Sequence, residues 1–122
     1  MIQITEYDLT TGECLFQYGF PNEEYREENR RDGQIDGYFG GDVYYIDLTD
    51  PDNPTPAERP ASPVSRTDLT LLDVPAGSTL WINGASYPAE GTVELEFTYP
   101  GTYSLRVECF PFLDWVDEVT VP

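Results

Sequence analysis

Apolar positions in this chain recur mostly at every second residue, which is the period of a half-buried β-strand. Ile2, Ile4 and Tyr7 open one such run and Cys14 to Tyr18 a second, with Thr10-Thr11-Gly12-Glu13 as the turn between them. This predicts a hairpin bent at Gly12 and closed by Phe20-Pro21. The period breaks in NEEYREENRRDG, Asn22 to Gly33. Asn22 suits an N-cap, Glu23 and Glu24 suit the positive end of a helix dipole, Glu27 and Arg31 stand at i,i+4, and Gly33 is a stop. Tyr25 is its one large apolar residue, so this segment is a short helix or an ordered acidic loop.

A short strand follows at Val43 to Asp47. Asp47 to Pro63 then holds five prolines in 17 residues, which predicts an extended connector rather than a sheet strand. The predicted organisation is an N-terminal hairpin with an acidic region over 1–46, a proline-rich linker over 47–63, and a β domain over 64–122.

The last part is patterned as β throughout. Leu69 to Val74 predicts one strand, Pro75-Ala76-Gly77 a turn, Thr79 to Ile82 another strand, and Asn83-Gly84 a tight hairpin. Val93, Leu95, Phe97 and Tyr99 alternate with Glu94, Glu96 and Thr98, and Tyr99-Pro100-Gly101-Thr102 fits a type II turn. Tyr103, Leu105, Val107 and Cys109 alternate with Ser104, Arg106 and Glu108, and Trp115, Val119 and Val121 make a last strand. The fold class expected is mainly β, an N-terminal hairpin region plus a small immunoglobulin-like β-sandwich. In FPFLDW, Phe110 to Trp115, parity assigns Trp115 to the core. Phe110 and Phe112 are then a lip facing a partner, or a loop folded over the end of the core.

Charge narrows the functions. The 122 residues carry 23 acids against six basic residues, all Arg, for a net charge of −17. No basic patch can be assembled to neutralise phosphates or to hold an anionic membrane, so nucleic acid and membrane are not expected partners. A solvated acidic surface or a basic partner is. Histidine and lysine are absent, which removes the commonest general base and Schiff-base chemistry. Two cysteines, Cys14 and Cys109, cannot make a structural zinc site, and nothing local pairs them. Gly37, Gly40 and Gly41 lack the Lys of a phosphate loop. Neither catalysis nor a cofactor is expected. Asp47, Asp50 and Asp52, with Asn53 nearby, are candidate Ca²⁺ ligands, although Pro54 and Thr55 break the EF-hand pattern. Turn formation beside proline is the competing reading. With 14 acids in residues 1–60 and nine in 61–122, charge is too evenly spread for a strong case that the protein mimics DNA. MIQITEYDLT has no signal-peptide pattern, so a soluble protein made in the cytoplasm is expected.

The order Y-Y-I-D (Tyr44 to Asp47), E-R-P-A-S-P (Glu58 to Pro63), T-L-W-I-N-G (Thr79 to Gly84), P-G-T-Y (Pro100 to Tyr103) and F-P-F-L-D-W (Phe110 to Trp115) resembles a group of small tailed-bacteriophage proteins ending in an immunoglobulin-like sandwich. The likeness covers roughly residues 40–122, with D-L-T-T-G-E (Asp8 to Glu13) fitting loosely. It implies a virion component, at the tail tip, fibre or baseplate or on the head. It further implies that the chain is assembled in the host cytoplasm in multiple copies within a symmetric particle and binds other virion proteins, with no catalysis. Tyr44, Arg59, Pro60, Phe110 and Phe112 are the candidate partner contacts. In such domains a Tyr after the corner hydrogen-bonds backward, a role open to Tyr103. The alternative is an immunoglobulin-like module binding carbohydrate or a host surface, with Trp81, Tyr87 and Trp115 stacking on sugars. A DNA-mimic inhibitor is the lesser one.

Overall fold

In the computed structural model, which describes residues 1–122, the N-terminal alternation becomes β1 (Ile2–Tyr7), paired antiparallel with β2 (Cys14–Phe20) through a bulge at Glu6/Tyr7. The turn between them is built on Asp8, whose carboxylate accepts from the Thr10 and Thr11 amides at 2.7 and 3.0 Å. Gly12 is required there. Its φ is +81°, and a Cβ would lie 1.9 Å from the Ile46 carbonyl oxygen.

The acidic segment takes the helical option. α1 (Glu23–Glu28) is capped by Asn22, whose side chain accepts from the Tyr25 amide at 2.9 Å. The helix stands because Tyr25 packs on Phe20, ring centroids 5.6 Å apart, and Arg26 pairs with Asp36. The expected Glu27–Arg31 pair does not form. Glu27 bonds Arg30 at 2.6 Å and Arg31 reaches Glu6 at 2.5 Å, because the helix ends at Glu28 and Arg31 has left its face. β3 (Gln34–Asp36) pairs with β1, giving the order β2-β1-β3.

Cross-strand partners share a face, so Ile4, Tyr18 and Phe20 look one way while Thr5 and Tyr7 look the other. Both faces are covered. Ile4 is 1% exposed and Thr5 0%. The Thr5 hydroxyl donates to the Gly37 carbonyl at 2.7 Å and accepts from the Phe39 amide at 2.8 Å, which ties the 37–39 loop to the sheet.

The proline-rich segment departs from expectation. β4 (Tyr44–Asp47) pairs with β5 (Thr55–Glu58), so part of the expected linker is a sheet strand. Pro56 is tolerated because a two-stranded ribbon has a free outer edge, where a missing N–H breaks no ladder. Ile46, fully buried, joins Tyr7 and Cys14 in the core of this part. The chain accordingly separates into two compact units after Arg59, Met1–Arg59 and Pro60–Pro122, rather than around a free 47–63 connector.

The second unit is one five-stranded antiparallel sheet. β6 (Ser65–Thr67) pairs with β7 (Thr70–Ile82), a 13-residue strand, and β8 (Ala85–Glu94) runs back along it from a tight turn at Asn83 (φ 48°) and Gly84 (φ 88°). β9 (Gly101–Glu108) pairs with the second half of β7, and β10 (Trp115–Val121) with β9. The expected turn at Pro75-Ala76-Gly77 does not reverse the chain. Asp73 (φ 57°) and Gly77 (φ 81°) accompany two register shifts inside β7, and the Ser78 hydroxyl bonds the Pro75 carbonyl at 2.6 Å. These bulges let the sheet curl over its own core of Val64, Leu71, Val74, Leu80, Leu95, Leu105, Val107 and Val119. The expected strand from Val93 to Tyr99 is displaced, with ladder pairing ending at Glu94. Its alternation still sets burial, since Leu95 is buried, Phe97 half-buried and Glu96 exposed. Gly101 has φ 152°, away from the type II turn value, because it already begins β9. The protein is mainly β, as expected.

Candidate functional site

The aromatic stretch between β9 and β10 is a closed turn. The Phe112 amide donates to the Cys109 carbonyl at 2.9 Å, and the Leu113 amide to the Pro60 carbonyl at 2.8 Å. Phe110 and Phe112 are both half-buried. Trp115 packs against the core and pairs with Val107. The turn is anchored to the start of its unit through Pro60, itself exposed.

The other candidate contacts are spent differently. Tyr44 sits half-buried with its ring edge-on to Phe39 at 5.5 Å. The Arg59 amide donates to Val43 O at 2.7 Å and its guanidinium to Gly41 O at 3.0 Å, so Arg59 staples the 41–43 loop to the end of β5. The five residues divide between the two units. Tyr44 and Arg59 belong to the first unit, and Pro60, Phe110 and Phe112 to the second.

The candidate calcium ligands are bound up in turns. One Asp47 oxygen accepts from both the amide and the hydroxyl of Thr49, at 2.9 and 2.6 Å. Asp50 accepts from the Asp52 amide at 3.1 Å and the Asn53 side chain at 3.0 Å. No group of three or more His, Cys, Asp or Glu side chains converges as a metal site. The carboxylates with shifted pKa values, Asp8, Glu27, Asp47 and Asp117, are all shifted down by the hydrogen bonds they accept. They are held as anions, the opposite of what a general acid needs. Burial raises the Cys14 thiol, which favours its neutral form. Both cysteines are free, Cys14 buried and Cys109 half-buried.

The aromatic trio proposed for sugar stacking is split by the sheet. Leu80 is paired with Tyr87 and Val107, and Val107 with Trp115, so Tyr87 and Trp115 take the core-facing side of their strands. Trp81 is one residue away and points outward. Its ring is already covered by the Arg106 guanidinium, 4.9 Å from the centroid, and Arg106 is held by Glu108 at 3.0 Å and Asp114 at 3.3 Å.

An open groove of about 600 Å³ lies between the Arg66–Thr70 turn and Glu118–Pro122 at the end of β10. Arg66 bridges from β6 to Asp117 at 2.8 Å. This pairing joins two residues 51 positions apart, and no local pattern signals it. The Tyr103 hydroxyl donates to the Tyr99 carbonyl at 2.7 Å, with the ring stacked on Phe97 at 4.0 Å. That is the backward bond expected of Tyr103.

No family model, curated protein or solved structure matches this chain. Residues that sequence reasoning passed over are Leu15 and Phe16 of β2, both exposed. Their signal was available in part, since CLFQYGF carries neither charge nor proline, but which strand of the hairpin would lie at the rim was not.

Proposed function

We propose that the protein is a non-enzymatic structural subunit of a tailed bacteriophage, a tail-associated adaptor or decoration protein that binds other virion proteins in multiple copies. It is assembled into the particle in the host cytoplasm. The observation that carries the reading is how the side chains are used. Carboxylates serve turns and ion pairs, while Leu15, Phe16, Tyr87 and Val116 stand exposed on strands. That distribution suits a protein whose business is contact rather than chemistry. The Tyr103–Tyr99 bond adds support for the immunoglobulin-like part of the resemblance. A carbohydrate-binding role is less favoured, because Trp81 and the pair Tyr87 and Trp115 lie on opposite sides of the sheet. Mass spectrometry of purified particles tests the proposal. Stoichiometric presence supports it, and absence from particles of a phage that encodes the chain overturns it.

A further inference from the structure

A strand at the rim of a sheet presents a row of unpaired amides and carbonyls, and folded proteins blunt such rims with charge, proline or brevity. Nearly every rim of this protein is treated that way. β3 and β6 are three residues long, and β4 is four and ends in Asp47. β5 carries Pro56 and Glu58, β8 carries Pro88, Glu90 and Glu94, and β10 carries Asp117 and Glu118. β2 is the exception. Cys14–Phe20 is seven residues of CLFQYGF with no charge and no proline, and its only ladder is with β1. An isolated bridge from Glu13 to Tyr45 ends just before it. Leu15 is 45% exposed and Phe16 61%.

We propose that β2 is the edge through which two copies of this chain associate, antiparallel about a twofold axis, so that two three-stranded sheets join into one. The choice of a second copy over another occupant rests on charge. At −17 per chain, two copies repel wherever acid faces acid. Pairing through β10 would set its two central acids, Asp117 and Glu118, against those of the partner subunit, and like charges opposed across strands destabilise. Along β2 nothing of the kind arises. With the axis at Gln17, Phe16 faces Tyr18 of the partner subunit and Leu15 faces the partner's Gly19, an aromatic pair beside a small residue. A basic partner, by contrast, would find acids on β8 and β10 and none on β2. The inference does not depend on a virion role. Absence from particles would sink that reading and leave this one standing, and a monomer in solution would do the reverse.

Sedimentation velocity on the full chain, from micromolar to near-millimolar concentration, tests it. The measurement is repeated at about 0.15 M and about 1 M NaCl, where the Debye length falls from about 8 to about 3 Å. The expected result is a dimer that tightens as salt screens the net charge. Phe16→Lys should weaken association by about tenfold or more, as an interface residue that matters does. Val116→Lys, on the rim of the other unit, should leave it unchanged. Should Phe16→Lys fail to fold by far-ultraviolet circular dichroism, Leu15→Lys is read in its place. Amide exchange of the unmodified chain gives a second readout, with protection of alternate β2 amides rising with concentration. A monomer at every concentration in high salt overturns the proposal. So does a dimer indifferent to both lysine variants, or a β2 edge that captures a different protein while the chain alone stays monomeric.

Discussion

Replacing Thr5 by valine should harm the first unit more than replacing it by serine, although valine is nearly isosteric and the better strand former. Thr5 is 0% exposed in the middle of β1, and its hydroxyl links the sheet to the 37–39 loop in both directions, donating to Gly37 O and accepting from Phe39 N. Valine keeps the volume and leaves that carbonyl and that amide facing a methyl group. Each orphaned buried group costs about 1–3 kcal/mol, offset in part by the apolar methyl, so a net loss on the order of 2–4 kcal/mol is expected. At about 1.4 kcal/mol per power of ten, the folded-to-unfolded ratio of this unit falls by between one and three powers of ten. Serine keeps both bonds and loses one buried methyl, costing about 1 kcal/mol. The probe must see the right unit. Both tryptophans, Trp81 and Trp115, lie in Pro60–Pro122, so tryptophan fluorescence is blind to the change. Denaturant unfolding followed by nuclear magnetic resonance, with exchange of the Phe39 amide, reads it directly. A valine variant as stable as the parent, or more stable than the serine variant, would refute the reasoning.

Three further outcomes are expected. Tyr103→Phe removes the bond to Tyr99 O but keeps the stack on Phe97, so the second unit should lose about 1 kcal/mol, and roughly 4–8 °C in melting temperature by tryptophan fluorescence; no shift would deny the bond a role. Gly12→Ala meets both a left-handed φ and the Ile46 carbonyl, so it should cost the first unit at least about 2 kcal/mol, and an alanine variant of unchanged stability would contradict the close approach. Asp117 has its pKa lowered, first by the Arg66 hydrogen bond and then by the Glu118 amide, so its contribution is present above the unfolded carboxylate pKa and is lost as pH falls through the lower folded value. Because its side chain is 37% exposed, Asp117→Asn should flatten the acid limb of stability by less than about 1 kcal/mol, measured by unfolding between neutral pH and about pH 3.

What could be read from the residues alone follows from local rules. Period-two alternation marked β1, β2, β9 and β10, and the buried side of β9 and β10, because a pleated strand sends neighbouring side chains to opposite faces whatever it packs against. Asn83-Gly84 declared its turn and Asn22 its cap, since both depend on a few adjacent residues. The missing histidines and lysines limited the chemistry before any fold was known. Tertiary structure decided the rest. The acidic segment became a helix only because Phe20 and Asp36 offer Tyr25 and Arg26 something to hold. Pro56 entered a strand because Tyr44–Asp47 offered it a free edge. Pro75-Ala76-Gly77 became a bulge rather than a turn because β8 continues past it on the same side. The candidate contacts were divided between the two units, and their burial was equally out of reach. Whether Phe110, Arg59 or Phe16 is covered depends on which distant segment lies over it, and burial of that kind is a property of the packed chain, which no window of neighbouring residues contains.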